Sequence, residues 1–121
     1  MYINFNIEIT DEDIDDIMSS ALEGGINYWC NKVRAKGKYL GDCASEQISR
    51  KGILLLHDAE DDAVYELTYD KLLKGIKQAI EEGHFTQYCW WDCNGLDTGN
   101  IDAEVADIIV QLALFDRVVY G

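Results

Sequence analysis

The chain has 121 residues, 48% of them hydrophobic and 27% charged, which predicts one folded domain rather than two small ones or a disordered tract. Asp and Glu number 23 against 10 Lys and Arg, a formal net charge of −13; this argues against direct nucleic-acid binding and against docking on an anionic membrane, both of which need cations. No apolar run approaches the roughly 20 residues of a membrane span and no basic-then-apolar leader opens the chain, so a cytoplasmic protein is expected.

Residues 2–9 alternate Ile3, Phe5, Ile7 and Ile9 with Asn4, Asn6 and Glu8, the period of a half-buried strand. Thr10 is a natural N-cap for the helix that follows, with Asp13 at the capping-box position. Ile14, Ile17, Met18, Ala21 and Leu22 give that helix one apolar stripe, and Gly24 and Gly25 are expected to end it in the left-handed cap conformation. Residues 26–33 are rich in β-formers and predict a second strand; residues 34–52 predict a loop with one short helical turn around Ser45–Ile48. The apolar run 53–57 reads as a central strand, 58–62 as a turn and 64–67 as its hairpin partner. Thr68 caps a second helix carrying Leu72, Leu73, Ile76, Ala79 and Ile80, ended by Gly83. Another strand is expected at 84–93 and a loop at 94–100. Asp102 caps a third helix carrying Val105, Ala106, Ile108, Ile109, Leu112 and Ala113, and 118–120 predict a short final strand. This order predicts a single α+β domain, a mostly antiparallel sheet of about five strands with two to three helices packed on it. There is no proline, so turns fall to Gly, Asn and Asp.

Three segments resemble a group of short proteins encoded by prophages and mobile elements of Gram-positive, often gut, bacteria: Leu22-Glu-Gly-Gly-Ile-Asn-Tyr-Trp-Cys30, Leu56-His-Asp-Ala-Glu60 and Ala106-Asp-Ile-Ile-Val-Gln-Leu-Ala-Leu-Phe115. The likeness covers most of the chain and carries over no catalytic residues. It implies an accessory gene of a phage or integrative element, a setting in which small acidic proteins often inhibit host defence, as antirestriction and anti-CRISPR proteins do.

The charge map offers the first candidate site. Residues 8–23 hold Glu8, Asp11, Glu12, Asp13, Asp15, Asp16 and Glu23 with no cation, and Asp11, Asp15 and Asp16 lie off the apolar stripe. Carboxylates at this density can imitate a phosphate ladder, which in duplex DNA places about one charge per 1.7 Å, or they can simply solvate a helix face. Trp90 and Trp91 are adjacent, so in a strand they point to opposite faces and one is expected outside the core, where tryptophan favours a protein interface. Asp11, Glu12, Asp15, Asp16, Trp90 and Trp91 are therefore expected to contact a protein partner, a host nuclease or other defence protein. Lys32, Arg34, Lys36 and Lys38 form a basic patch, suited to an acidic partner, a phosphate, the acidic face of a second copy, or protection of a strand edge. Ile108, Ile109 and Leu112 can serve an oligomer seam as easily as a core.

The remaining motifs are weaker. The Gly24–Gly25 pair before Tyr28 and Trp29 either lets a ligand approach the backbone or only caps a helix. His57, beside Asp58 and Glu60, has the chemistry of a general base or metal ligand, and with His84, Cys89 or Cys93 it suggests an alternative small-ligand or zinc site. A four-thiolate zinc site needs two tight cysteine pairs, whereas only Cys89 and Cys93 are close; Cys30 and Cys43 stand apart. No metalloprotease, nucleophile-elbow, dinucleotide or P-loop signature is present. The expectation is a binding protein, not an enzyme, without metal or cofactor.

Overall fold

The structure is a computed structural model that describes residues 6–121. Helix α1 (Asp11–Ser20) begins with a complete capping box: the Thr10 hydroxyl accepts from the Asp13 N–H at 3.1 Å, and the Asp13 carboxylate accepts from the Thr10 N–H at 3.0 Å. Past Ser20 the helix widens instead of stopping. Ala21–Gly25 form a π-turn, closed by the Ile26 N–H on the Ala21 carbonyl at 3.0 Å. Neither glycine has a positive φ, so the expected left-handed cap is absent. Close approach explains Gly25 instead: a Cβ there would lie 2.6 Å from the Ala103 carbonyl oxygen.

Strands β1 (Cys30–Ala35), β2 (Leu54–Asp58) and β3 (Val64–Leu67) form an antiparallel sheet with β2 in the centre. Strand β1 starts later than its aromatic composition predicts. Residues 26–29 are spent on a turn in which the Trp29 and Cys30 N–H groups both reach the Ile26 carbonyl, at 3.1 and 2.8 Å. Helix α2 (Tyr69–Glu82) is capped by Thr68, whose hydroxyl accepts from the Lys71 N–H, and ends at Gly83 with φ 76°. Two-residue strands β4 (Trp91–Asp92) and β5 (Gly95–Leu96) pair as a separate sheet. Helix α3 (Ala103–Phe115) is capped by the Asp102 carboxylate, 2.9 Å from the Val105 N–H.

The fold is thus α+β, but the five antiparallel strands among the described residues are divided three and two rather than joined in one sheet. The long strand expected at 84–93 reduces to β4, and 118–120 form no strand: the Gln111 side chain takes the Val119 and Tyr120 N–H groups. Residues 2–5 of the expected first strand lie outside the described residues. Residues 6–10 carry no regular structure, yet their alternation survives as burial, with Ile7 and Ile9 half-buried and Asn6 and Glu8 exposed. A period of two marks which side is covered; it does not by itself supply a pairing partner.

One apolar core joins Ile14, Ile17 and Met18 of α1, Leu54, Leu56 and Leu67 of the sheet, Leu72 and Ile76 of α2, and Val105, Ile109 and Leu112 of α3. Helices α2 and α3 pack closely at Gly75, where a Cβ would lie 2.5 Å from the Ile109 carbonyl oxygen. Of the two uses open to Ile108, Ile109 and Leu112, core or oligomer seam, Ile109 and Leu112 serve the core, fully buried, and Ile108 is half-buried. Among the described residues no helix is long and apolar enough to cross a membrane.

Candidate functional site

The fold brings two cation-free stretches of sequence together. No Lys or Arg precedes Lys32, and none occurs between Lys77 and Arg117. The Thr98 hydroxyl donates to the Asp16 carboxylate at 2.8 Å; a Cβ on Gly95 would sit 3.5 Å from the Glu8 carbonyl; and Gly25 closes on Ala103. Exposed Asp11, Glu12 and Asp16 of α1 thus join exposed Asp92, Asp97, Asp102 and Glu104 from the other stretch. Asp15 is half-buried, and its Oδ1 is enclosed without a hydrogen-bond partner. The Lys and Arg ion pairs among the described residues, Lys36–Glu66, Arg50–Glu46 and Lys74–Asp116, reach none of these acids. The second stretch went unnoticed in sequence because its acids are spaced widely; its signal is the long interval without a cation.

A polar cluster is built beside this flank. Asp107, on the second turn of α3, is only 6% exposed. Its Oδ1 accepts from the Trp29 indole N–H at 2.8 Å and from the Gln111 amide at 2.9 Å, and its Oδ2 accepts from the Tyr28 hydroxyl at 2.6 Å. Burial and the neighbouring Asp107 carboxylate push the Tyr28 phenol up to about 12. Gln111 Oε1 accepts from the Val119 and Tyr120 N–H groups, at 2.7 and 2.8 Å, and so clasps the chain after α3. Tyr120 stacks on Trp29 with ring centroids 4.9 Å apart and donates its hydroxyl to Asp58 Oδ2. That bond, first among several, holds Asp58 below the usual carboxylate range and raises the Tyr120 phenol.

The cluster forms part of the wall of a cavity of about 420 Å³, bounded by Gly24 and Gly25 of the π-turn, Tyr28, Glu104, Asp107 and Ile108 of the α3 side, and Val118 and Tyr120. The glycine pair singled out in the sequence therefore faces a cavity, with Tyr28 beside it. Asp107 and Gln111 are what the sequence reading passed over. Their signal is a charged and an amide residue one helical turn apart in a helix that is otherwise apolar after Glu104.

The other expected residues fare unequally. Trp90 is fully buried, its indole N–H donating to the His84 carbonyl at 2.8 Å, so it is a core residue and not a surface contact. Trp91 is half-buried against the core. Lys32, Arg34, Lys36 and Lys38 are exposed as expected. Lys32 and Arg34 stand opposite His57 and Leu55 on one face of the sheet, where the Arg34 Nε–H donates to His57 Nε2 at 3.1 Å. Lys36 pairs with Glu66 and lowers its carboxyl by hydrogen bond and charge. His57 is engaged by Arg34, His84 contacts Glu82, and Cys89 reaches the Trp91 carbonyl. The zinc constellation of His57, Cys89 and Cys93 is not assembled: among the described residues no three His, Cys, Asp or Glu side chains are grouped to hold a metal. Compared with protein-family models, with curated proteins and with solved structures, the chain matches none.

Proposed function

We propose that the chain is a binding protein that acts through its carboxylate flank, occupying the basic nucleic-acid groove of a host nuclease or other defence protein. The observation that carries this reading is that, among the described residues, no Lys or Arg forms an ion pair with the acids of α1 and residues 92–104. Carboxylates without a cationic partner repel one another, an arrangement relieved when a cationic surface covers them. The resemblance to prophage and mobile-element proteins supplies the setting.

The test is competition. The protein is titrated against restriction and CRISPR nucleases of Gram-positive hosts, with duplex DNA as competitor and binding read across salt concentrations. Binding that weakens as salt rises, that duplex DNA displaces, and that falls roughly tenfold or more in D11K/D15K/D16K supports the reading. Undiminished binding by the charge-reversed variant, failure of DNA to compete, or no binding to any of these nucleases overturns it.

A further inference from the structure

Building on the reading of an acidic binding protein, the geometry points to the cavity between the π-turn and α3 as the receptacle for one arginine side chain of the partner. Asp107 is a buried carboxylate whose partners, the Trp29 indole, the Tyr28 hydroxyl and the Gln111 amide, are all neutral donors. A buried charge is ordinarily matched by an opposite one, and here the described residues that line the cavity include no Lys or Arg. Arg117, nearby in sequence, is exposed and takes no part in the wall. A carboxylate has about four acceptor positions. Oδ1 uses two and Oδ2 one, which leaves Oδ2 able to accept from a ligand.

The rest of the wall suits a cation on an apolar stem. Glu104 adds a second carboxylate at the rim, while Ile108 and Val118 supply apolar surface. Tyr28 is 55% exposed, so its ring is open to a guanidinium plane. Arginine matches better than lysine because its planar fork can meet two carboxylates and lie on an aromatic face together. The volume of about 420 Å³ falls within the ~300–1,000 Å³ usual for ligand pockets.

The test is an NMR titration of the labelled protein with N-acetyl-arginine amide, and in parallel with its uncharged isostere N-acetyl-citrulline amide. Saturable shifts are expected at the Gly24, Gly25 and Glu104 amides and at the Trp29 indole N–H, with citrulline at least roughly tenfold weaker. E104Q weakens the arginine response. G24L places a bulky side chain at the cavity wall without altering any charge; a Cβ at Gly24 meets nothing within 4 Å, the indole N–H of the core residue Trp90, which lies outside that wall, reports on the fold of the variant, and the arginine response is expected to be lost. Equal shifts from arginine and citrulline, an undiminished response in folded G24L, or preferential saturation of the cavity by spermine overturns the assignment. The two readings fail separately. Nuclease binding lost in D11K/D15K/D16K but intact in G24L removes the cavity and keeps the flank; arginine saturation of the cavity with nuclease binding unaffected by charge reversal does the reverse.

Discussion

Asp58 shows how one side chain fastens two parts of the chain. Its Oδ1 accepts from the Glu60 N–H at 2.8 Å, shaping the β2–β3 turn, while its Oδ2 accepts from the Tyr120 and Tyr65 hydroxyls. All of these bonds favour the ionised form, so the folded pKa lies below the unfolded value of about 3.9. The stability Asp58 contributes is accordingly complete above that unfolded value and is lost as pH falls through the lower folded one. Asn at this position keeps one acceptor but not the charge. The difference in unfolding free energy between wild type and D58N, measured by urea titration, is expected to be constant near neutrality and to shrink as pH drops below about 4. A difference independent of pH would show that Asp58 acts by shape alone.

At the level of elements, equal chemistry at two glycines is expected to have opposite results. Gly75 lies where α2 meets α3, and a Cβ there would be 2.5 Å from the Ile109 carbonyl oxygen and 2.9 Å from the Ala113 Cβ. Alanine is the better helix former by about 1 kcal/mol, yet overpacking costs about 1–3 kcal/mol, and two helix backbones have little room to yield. G75A is expected to be destabilised, while G24A, whose new methyl meets nothing, is expected to be neutral or stabilised; thermal unfolding of the pair decides it. Helices and the hairpin were legible in sequence because their signals are local: Thr10 with Asp13, Thr68 with Gly83, Asp102 ahead of an apolar run, and turn residues between 58 and 62. What lay between them was not local. Tyr28 and Trp29 look like strand residues, but their polar atoms serve Asp107, 79 and 78 positions away. Gln111 satisfies the backbone at Val119 and Tyr120 in place of the strand that composition suggested. The acidic flank was half visible, because α1 announces itself while residues 92–104 join it only through the fold.

For the molecule as a whole, charge is distributed unevenly. Nine of the ten Lys and Arg residues fall within residues 32–77, and the sheet face bearing Lys32 and Arg34 belongs to that part of the chain. Among the described residues, none of the Lys and Arg ion pairs reaches the acids of α1 and residues 92–104. Their mutual repulsion is screened once the Debye length falls below their spacing, about 10 Å at 0.1 M salt. Raising sodium chloride from about 10 mM to about 0.5 M is therefore expected to raise Tm by a few degrees, on the order of 1 kcal/mol for a domain of this size. D11K/D15K/D16K is expected to respond less, and equal responses would remove repulsion along α1 as the source. The same separation sets the geometry of contact between copies. A molecule whose cationic sheet face meets the carboxylates of a neighbour leaves one surface of each sign unsatisfied. Such heterologous contacts close into rings or run on as filaments rather than ending in a twofold pair, so copies that cluster in dilute buffer would grow past the dimer.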